Sequence, residues 1–206
     1  SLRFDDKWGD FGWSTYLTYS LNKNKVVELL RNYEDPYTHE LTSLDRIDMG
    51  GTSMYKMILT EGGSIGDIYV NTLRTDEHGA IYVHPSDQVV VPQSDEFVKA
   101  GNSAPKYNLG WGNTFTYKGI SLGCLFTARV GGIVVSQTQA TMDAFGASKA
   151  TADARDNGGA LVNGRPIDAE AYYTTIGGSG SQGGIGSMYV YSATNVRLAE
   201  LSLGYD

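Results

Sequence analysis

The feature that most constrains this chain is a pair of long alternating runs joined by only two residues. In the first, Tyr107, Leu109, Trp111, Phe115 and Tyr117 alternate with Lys106, Asn108, Gly110, Gly112, Thr114 and Thr116, and Asn113 alone is out of pattern. In the second, Ile120, Leu122, Cys124, Phe126, Ala128 and Val130 alternate with Ser121, Gly123, Thr127, Arg129 and Gly131, and only Leu125 breaks the polar set. A period of two places the members of each set on opposite faces of a strand. Lys118-Gly119 separates the runs, and a glycine that tolerates positive φ is what a two-residue antiparallel turn demands. The pattern predicts one hairpin over residues 106–131 with Leu109, Trp111, Phe115, Leu122 and Phe126 on a common face. Each arm is about 11 to 12 residues long. That exceeds the usual strand of about 5 or 6 residues in soluble domains and matches a tilted strand crossing a bilayer.

Two further runs share this character. Phe11, Trp13, Leu17, Tyr19 and Leu21 alternate with Gly12, Ser14, Thr18, Ser20 and Asn22, with Thr15 and Tyr16 as blurred positions. Near the C-terminus Leu201, Leu203 and Tyr205 alternate with Glu200, Ser202 and Gly204, preceded by less regular strand-like stretches at Met188–Tyr191 and Val196–Leu198. Strands are therefore predicted at about 8–22, 106–117, 120–133 and 186–206, with long connections at about 24–105 and 134–185. The first connection carries a predicted helix near Val26–Arg31 and short strands at Tyr55–Thr60, Gly66–Thr72 and Ala80–His84. The second carries a predicted helix over Ser148–Arg155, capped by Ser148 and stopped by Asn157-Gly158. It ends in the Gly/Ser-rich stretch Gly177–Gly186, expected to be mobile or tightly turned. A very short turn at one end of a hairpin and long connections at the other are the asymmetry of outer-membrane barrels.

Composition supports a β protein and narrows the chemistry. With 26 Gly, 14 Tyr and 19% charged residues the chain leans towards strands. A formal net charge of −7 with no cluster of Lys and Arg argues against a nucleic-acid surface. Cys124 is the single cysteine, so neither an internal disulfide nor a CxxC site is available. No stretch of about 18 apolar residues is present and no basic-then-apolar leader opens the chain; neither fact bears on a barrel, whose strands are shorter and alternating. His39, His78 and His84 lack HxxxH or HExxH spacing, and Asp45, Asp48, Asp143, Asp153 and Asp156 show no pairing that sequence can establish. Gly177–Gly184 lacks the Lys-Ser/Thr of a phosphate-binding loop. No catalytic residue, metal ligand or cofactor is predicted.

Four stretches together resemble one family. Asn102–Gly119 with the following strand to Gly132 resembles the late-barrel hairpin of SusC/RagA-type TonB-linked outer-membrane receptors. Phe11–Val26, Ser148–Asp156 and Ala193–Tyr205 are similar to a strand running into an Asn-Lys-rich loop, an extracellular loop helix and a strand near the C-terminus of that family. The resemblance implies an all-β fragment: antiparallel strands of a large transmembrane barrel with long extracellular loops carrying a short helix, without the family's plug and TonB-contacting segment. It implies a bacterial outer-membrane importer of oligosaccharides or peptides, working with a SusD-like surface lipoprotein and with the TonB complex, and performing no catalysis. In such a barrel the alternation turns Arg129 towards the lumen. Trp13, Trp111, Tyr117 and Tyr205 are the expected membrane-interface aromatics, and Tyr172, Tyr173 and Tyr189 the expected substrate or partner contacts. The rival readings are a soluble all-β carbohydrate-binding module, which predicts shorter strands and modest loops, and a glycan-cleaving enzyme, which rests only on scattered carboxylates.

Overall fold

The structure is a computed structural model that describes residues 1–86, 88–178 and 183–205. In chain order its strands are β1 (Leu2–Trp8), β2 (Phe11–Ser20), β3 (Leu30–Glu34), β4 (Leu41–Leu44), β5 (Arg46–Gly51), β6 (Tyr55–Thr60), β7 (Asp67–Leu73), β8 (Pro92–Asn102), β9 (Tyr107–Tyr117), β10 (Ile120–Val130), β11 (Ile133–Val135), β12 (Ala160–Val162), β13 (Arg165–Ile167), β14 (Val190–Ser192) and β15 (Asn195–Tyr205). The helices are α1 (Gln137–Ala144), α2 (Lys149–Asp156) and α3 (Ala169–Gly177), with a 3₁₀ turn at Gly186–Tyr189. Strands make up 52% of the chain, so the class is all-β. The chain divides into two compact units, the first made of residues 1–24, 103–133 and 192–206, the second of residues 25–102 and 134–191.

The first unit is one antiparallel sheet in the order β1-β2-β9-β10-β15. The hairpin turns at Lys118-Gly119, where φ is +46° and +83°, the two positive values of a type I′ turn, whose twist matches that of the strands. Register follows directly: Leu122 faces Phe115, Phe126 faces Trp111 and Ala128 faces Leu109. The expected apolar set thus shares one face. A second tight turn at Gly9-Asp10, with Gly9 at φ +62°, splits the strand expected over about 8–22. Trp8 pairs with Phe11 across it, and β1 had no clear signal because Asp6 stands in its apolar set between Phe4 and Trp8. Both tight turns lie at the same end of the sheet, where Lys118 Nζ stands 4.0 Å from Asp10 Oδ2. The sheet does not close on itself among the described residues; β1 and β15 are its edges.

The irregular C-terminal pattern has a mechanical cause. Leu125 pairs with Glu200 but Phe126 pairs with Leu198, so Ala199 is the extra residue of a β-bulge. A bulge shifts side-chain parity by one. Val196 and Leu198 therefore share a face with Leu201, Leu203 and Tyr205 although their spacing in sequence is odd. Upstream, the strand expected over 186–206 is divided into the 3₁₀ turn, β14 and β15.

The second unit contains what sequence alone treats as loops. An antiparallel sheet β5-β6-β7-β8 and the hairpins β3-β4 and β12-β13 accompany the three helices. Its core gathers Met54, Leu73 and Val90 from the first connection with Ala140, Ala154, Val162, Ile167, Ile176, Ile185 and Tyr189 from the second. Two asparagines bind these distant segments together. Asn71 Nδ2 donates to the Gly184 carbonyl at 3.0 Å and its Oδ1 accepts from the Gly186 amide at 2.6 Å. Asn163 accepts from the Ile81 amide at 3.1 Å and donates to the Ile81 carbonyl at 2.7 Å. The expected strands at Tyr55–Thr60 and Gly66–Thr72 correspond to β6 and β7, and that at Ala80–His84 is reduced to isolated bridges from Ile81 to Thr75 and from Val83 to Val90.

Helix α2 begins at Ser148, whose side chain accepts from the Thr151 amide, and ends at Asn157. The helix expected near Val26–Arg31 does not form. The Val26 amide donates to Gly63, the Val26 carbonyl accepts from Gly62, and the Leu29 amide donates to Glu61 Oε1, so these backbone groups are committed to a neighbouring turn and no i→i−4 ladder is built. Of Gly177–Gly186, residues 179–182 lie outside the described residues.

Substituting the turn tests the hairpin. Gly119→Ala forces a Cβ into φ +83° and is expected to destabilise by about 1–2 kcal/mol. Lys118→Asn, which supplies the residue that tolerates this conformation, should be neutral or stabilising. Urea unfolding in micelles, with equal losses for both variants, would contradict the turn assignment.

Candidate functional site

The two faces of the five-stranded sheet differ in kind. Rows across β2, β9, β10 and β15 on one face read Phe11–Tyr117–Ile120–Tyr205, Trp13–Phe115–Leu122–Leu203, Leu17–Trp111–Phe126–Leu198 and Tyr19–Leu109–Ala128–Val196. Rings run along it: Phe4 meets Trp13 edge-on at 5.5 Å, Trp13 stacks on Phe115 at 6.4 Å and Trp111 on Phe126 at 5.8 Å. This face is not covered: Tyr205 is 81% exposed, Leu203 77% and Val196 72%. Among the described residues every buried apolar side chain belongs to the second unit. The first unit is thus a sheet with a continuous apolar face and no buried apolar core of its own.

One row on that face is polar, Thr15 opposite Asn113. Trp111 Nε1 donates to Thr15 Oγ1 at 3.1 Å, Thr15 Oγ1 donates on to the Gly112 carbonyl at 3.1 Å, and Trp13 Nε1 donates to Asn113 Oδ1 at 3.2 Å. The two polar residues that break the alternation therefore satisfy the two indoles beside them.

The opposite face is polar and small. Its rows read Ser20–Asn108–Arg129–Asn195, Thr18–Gly110–Thr127–Arg197 and Tyr16–Gly112–Leu125–Glu200. Gly112 is required where it stands, because a Cβ there would collide with the Tyr16 ring. Arg129 lies on this face, as the alternation predicts. Its Nη2 donates to the Ser103 carbonyl at 2.6 Å.

Of the expected interface aromatics, Tyr117 and Tyr205 flank Ile120 in the row next to the tight turns, with Trp13 one rung further in. Trp111 stands near mid-strand. The three tyrosines expected as contacts all lie in the second unit but are not placed equally. Tyr172 and Tyr173 are half-buried and meet edge-on at 5.0 Å, and Tyr173 Oη donates to the Ala150 carbonyl at 3.3 Å. Burial raises both hydroxyls above the ordinary tyrosine value. Tyr189 is corrected from a contact residue to a core residue. It is 2% exposed, and its hydroxyl donates to Asp143 Oδ2 at 3.0 Å while Gln139 Nε2 supplies the other carboxylate oxygen at 2.9 Å. Burial, with the Asp143 carboxylate beside it, pushes the Tyr189 hydroxyl far up.

Sequence reasoning weighed Asp143 only as one of the scattered carboxylates, and it missed Asn71 and the Asn163-Gly164 turn, whose φ values of +50° and +76° join β12 to β13. The Asn-Gly pair was the available signal. It also passed over Asp67, buried at the start of β7. Asp67 Oδ2 receives Lys99 Nζ at 2.5 Å and the Ser64 amide at 2.9 Å, and Oδ1 receives Asn102 Nδ2 at 2.9 Å. Burial alone would raise this carboxyl; the three donors outweigh it and hold it below the usual carboxylate range.

An antiparallel wall with one lipid-like and one polar face is the kind of sheet from which membrane barrels are made. Comparison with known proteins agrees. No family model matches the chain. The chain is similar to the TonB-dependent receptor P3 of Formosa agariphila, 27% identical over 226 aligned residues covering 96% of this chain and 20% of that receptor. The chain thus spans about a fifth of the relative's length, and the match supports the TonB-dependent receptor family.

Two measurements test the second unit. Tyr189→Phe leaves Asp143 Oδ2 without its hydroxyl donor and should cost about 1–3 kcal/mol. Tyr173→Phe should cost less, and equal losses on thermal unfolding would contradict the core assignment. Because the Asp67 carboxyl is depressed in the folded state, its stabilisation is present above its unfolded value near 3.8 and is lost as pH falls through the folded value. Asp67→Asn should flatten the acid limb of the stability curve below about pH 4.

Proposed function

We propose that this chain is part of the barrel wall of an outer-membrane TonB-dependent importer of the SusC/RagA type. The observation that carries this reading is the uncovered apolar face on strands of spanning length. β9 and β10 are 11 residues each. At about 3.3 Å per residue they extend roughly 36 Å, and tilted by about 40° they rise about 28 Å, enough for an apolar band about 25 Å tall. In water such a face is a liability; in lipid it is the ordinary solution.

On this reading the tight turns at Gly9-Asp10 and Lys118-Gly119 are periplasmic, and Tyr117, Tyr205 and Trp8 form the interface girdle there, with Trp13 on its inner rung. Trp111 lies deeper, its N–H satisfied by Thr15. Residues 25–102 and 134–191 belong to the extracellular side, where Tyr172 and Tyr173 serve as ring surfaces for an oligosaccharide or peptide. A SusD-like lipoprotein and the TonB complex complete the importer, and the chain does no chemistry on its cargo.

Depth-dependent quenching tests this. In vesicles of brominated phosphatidylcholine, a variant retaining only Trp111 should be quenched most by bromines deep in the acyl chains, and one retaining only Trp8 by shallow bromines. Absence of quenching in both would place the apolar face outside lipid and end this reading.

A further inference from the structure

The polar face holds two guanidinium groups without a carboxylate. Arg129 and Arg197 are diagonal neighbours, since Arg129 pairs with Asn195 and Thr127 with Arg197. Together with Thr18, Ser20, Asn108 and Asn195 they line a cleft of about 440 Å³ within the first unit. Arg129 spends Nη2 on the Ser103 carbonyl, but its Nε is shielded from solvent and has no hydrogen-bond partner. Arg197 Nε reaches only Thr127 Oγ1, at 3.3 Å. Among the described residues neither arginine makes an ion pair, although Arg3 on the same face is matched by Asp5 at 2.8 Å. Glu200, three residues along β15, pairs in register with Leu125 and reaches neither.

A shielded guanidinium N–H without an acceptor is rare in folded proteins, because the lost hydration is not replaced. Two arginines on adjacent rungs lining one cleft put two positive charges where an anion would be favoured. The flanking groups are neutral amides and hydroxyls, able to bond a ligand's hydroxyl or carbonyl oxygens without opposing its charge. A planar guanidinium fork suits a planar carboxylate in particular.

We infer that Arg129 and Arg197, with Asn108 and Asn195, form a carboxylate-binding site on the wall of the transport path, so that the cargo is an acidic solute. This rests on the reading of the polar face as the lumen wall, where charged side chains tune selectivity. The shared chemistry is the carboxylate, whether it is carried by a sugar acid or by an acidic peptide side chain.

The test observes the arginines themselves. The chain is labelled with ¹⁵N-arginine and ¹⁵N-glycine, held in neutral-detergent micelles, and its Nε–H signals are assigned with Arg129→Lys and Arg197→Lys. It is then titrated with sodium glucuronate, N-acetylaspartate methylamide, glucose or sodium sulfate. A saturable shift of the Arg129 Nε–H with either carboxylate and none with glucose is expected, and the tighter of the two carboxylates names the source. Affinity, followed for the variants by isothermal titration calorimetry, should fall at least tenfold in Arg129→Gln/Arg197→Gln and about threefold in Arg129→Lys, which keeps charge but loses the fork. The Gly119 amide signal, unmoved in every variant, certifies that the hairpin remains folded. A silent Arg129 Nε–H, or a shift produced equally by sulfate, overturns the proposal. Because the readout is local, a positive titration in a protein whose tryptophans escape lipid quenching would sink the barrel reading and leave the site standing.

Discussion

Cross-strand register is the constraint on which the first unit depends. On the apolar face four rows from β2 to β15 align apolar residues with apolar residues, and the row Trp13–Phe115–Leu122–Leu203 crosses four strands without a polar interruption. With a side-chain period of two, a slip of one residue in any strand would send its whole apolar set to the polar face. Two backbone devices hold the register. The turn at Lys118-Gly119 fixes β9 against β10, and the bulge at Ala199 restores parity between the two halves of β15. The glycines contribute from the other side: Gly12, Gly110, Gly123 and Gly204 each leave room for a hydroxyl residue on the neighbouring strand, respectively Thr116, Thr18, Ser202 and Ser121.

The second unit depends on a different kind of bond. Its two chain segments are separated by more than thirty residues of strand and turn, and closing so long a loop costs entropy that local contacts cannot recover. One half-buried and one exposed side-chain amide, with one buried carboxylate, do what a continuous backbone ladder would otherwise do. Asn71 bonds a carbonyl and an amide near the end of the second segment, Asn163 bonds both backbone groups of Ile81, and Asp143 on α1 is held by the Tyr189 hydroxyl. Of these, the Tyr189–Asp143 bond is buried, so the desolvation of each of its groups is offset by the other.

How much of this was legible follows from where each signal resides. The hairpin from Tyr107 to Val130 was readable because alternation and turn chemistry agree over its whole length. α2 was readable because Ser148 and Asn157-Gly158 mark both ends. β1 was not, since its apolar positions Leu2, Phe4 and Trp8 are interrupted by Asp6. α1 was missed because it is rich in Gln and Thr and shows no apolar stripe. α3 did carry one, Ala169, Tyr172, Tyr173 and Ile176 at helical spacing, which face the core, but Tyr and Thr dominate its composition and favour strands. Burial of Tyr189 could not be read from a local pattern at all, because its partner Asp143 lies 46 positions away. The candidate site divides in the same way. Arg129's face followed from period two, whereas the proximity of Arg197 depends on a register shifted by the Ala199 bulge, and the unmet Nε of Arg129 is a three-dimensional fact that no local pattern carries.

The same reasoning explains why two polar residues can stand on an apolar face. Thr15 and Asn113 oppose each other in the one row of β2 and β9 that breaks the pattern, beside the two tryptophans most in need of an acceptor. An indole N–H deep in hydrocarbon, or a hydroxyl there without a partner, would each cost several kcal/mol. Set together, Trp111 donates to Thr15, Thr15 donates to the Gly112 carbonyl, and Trp13 donates to Asn113. What the row presents outward is then chiefly ring and methyl surface. The departures from alternation at these two positions are therefore part of the apolar face and not exceptions to it, and they allow two indoles to stand on that face without an unpaired N–H.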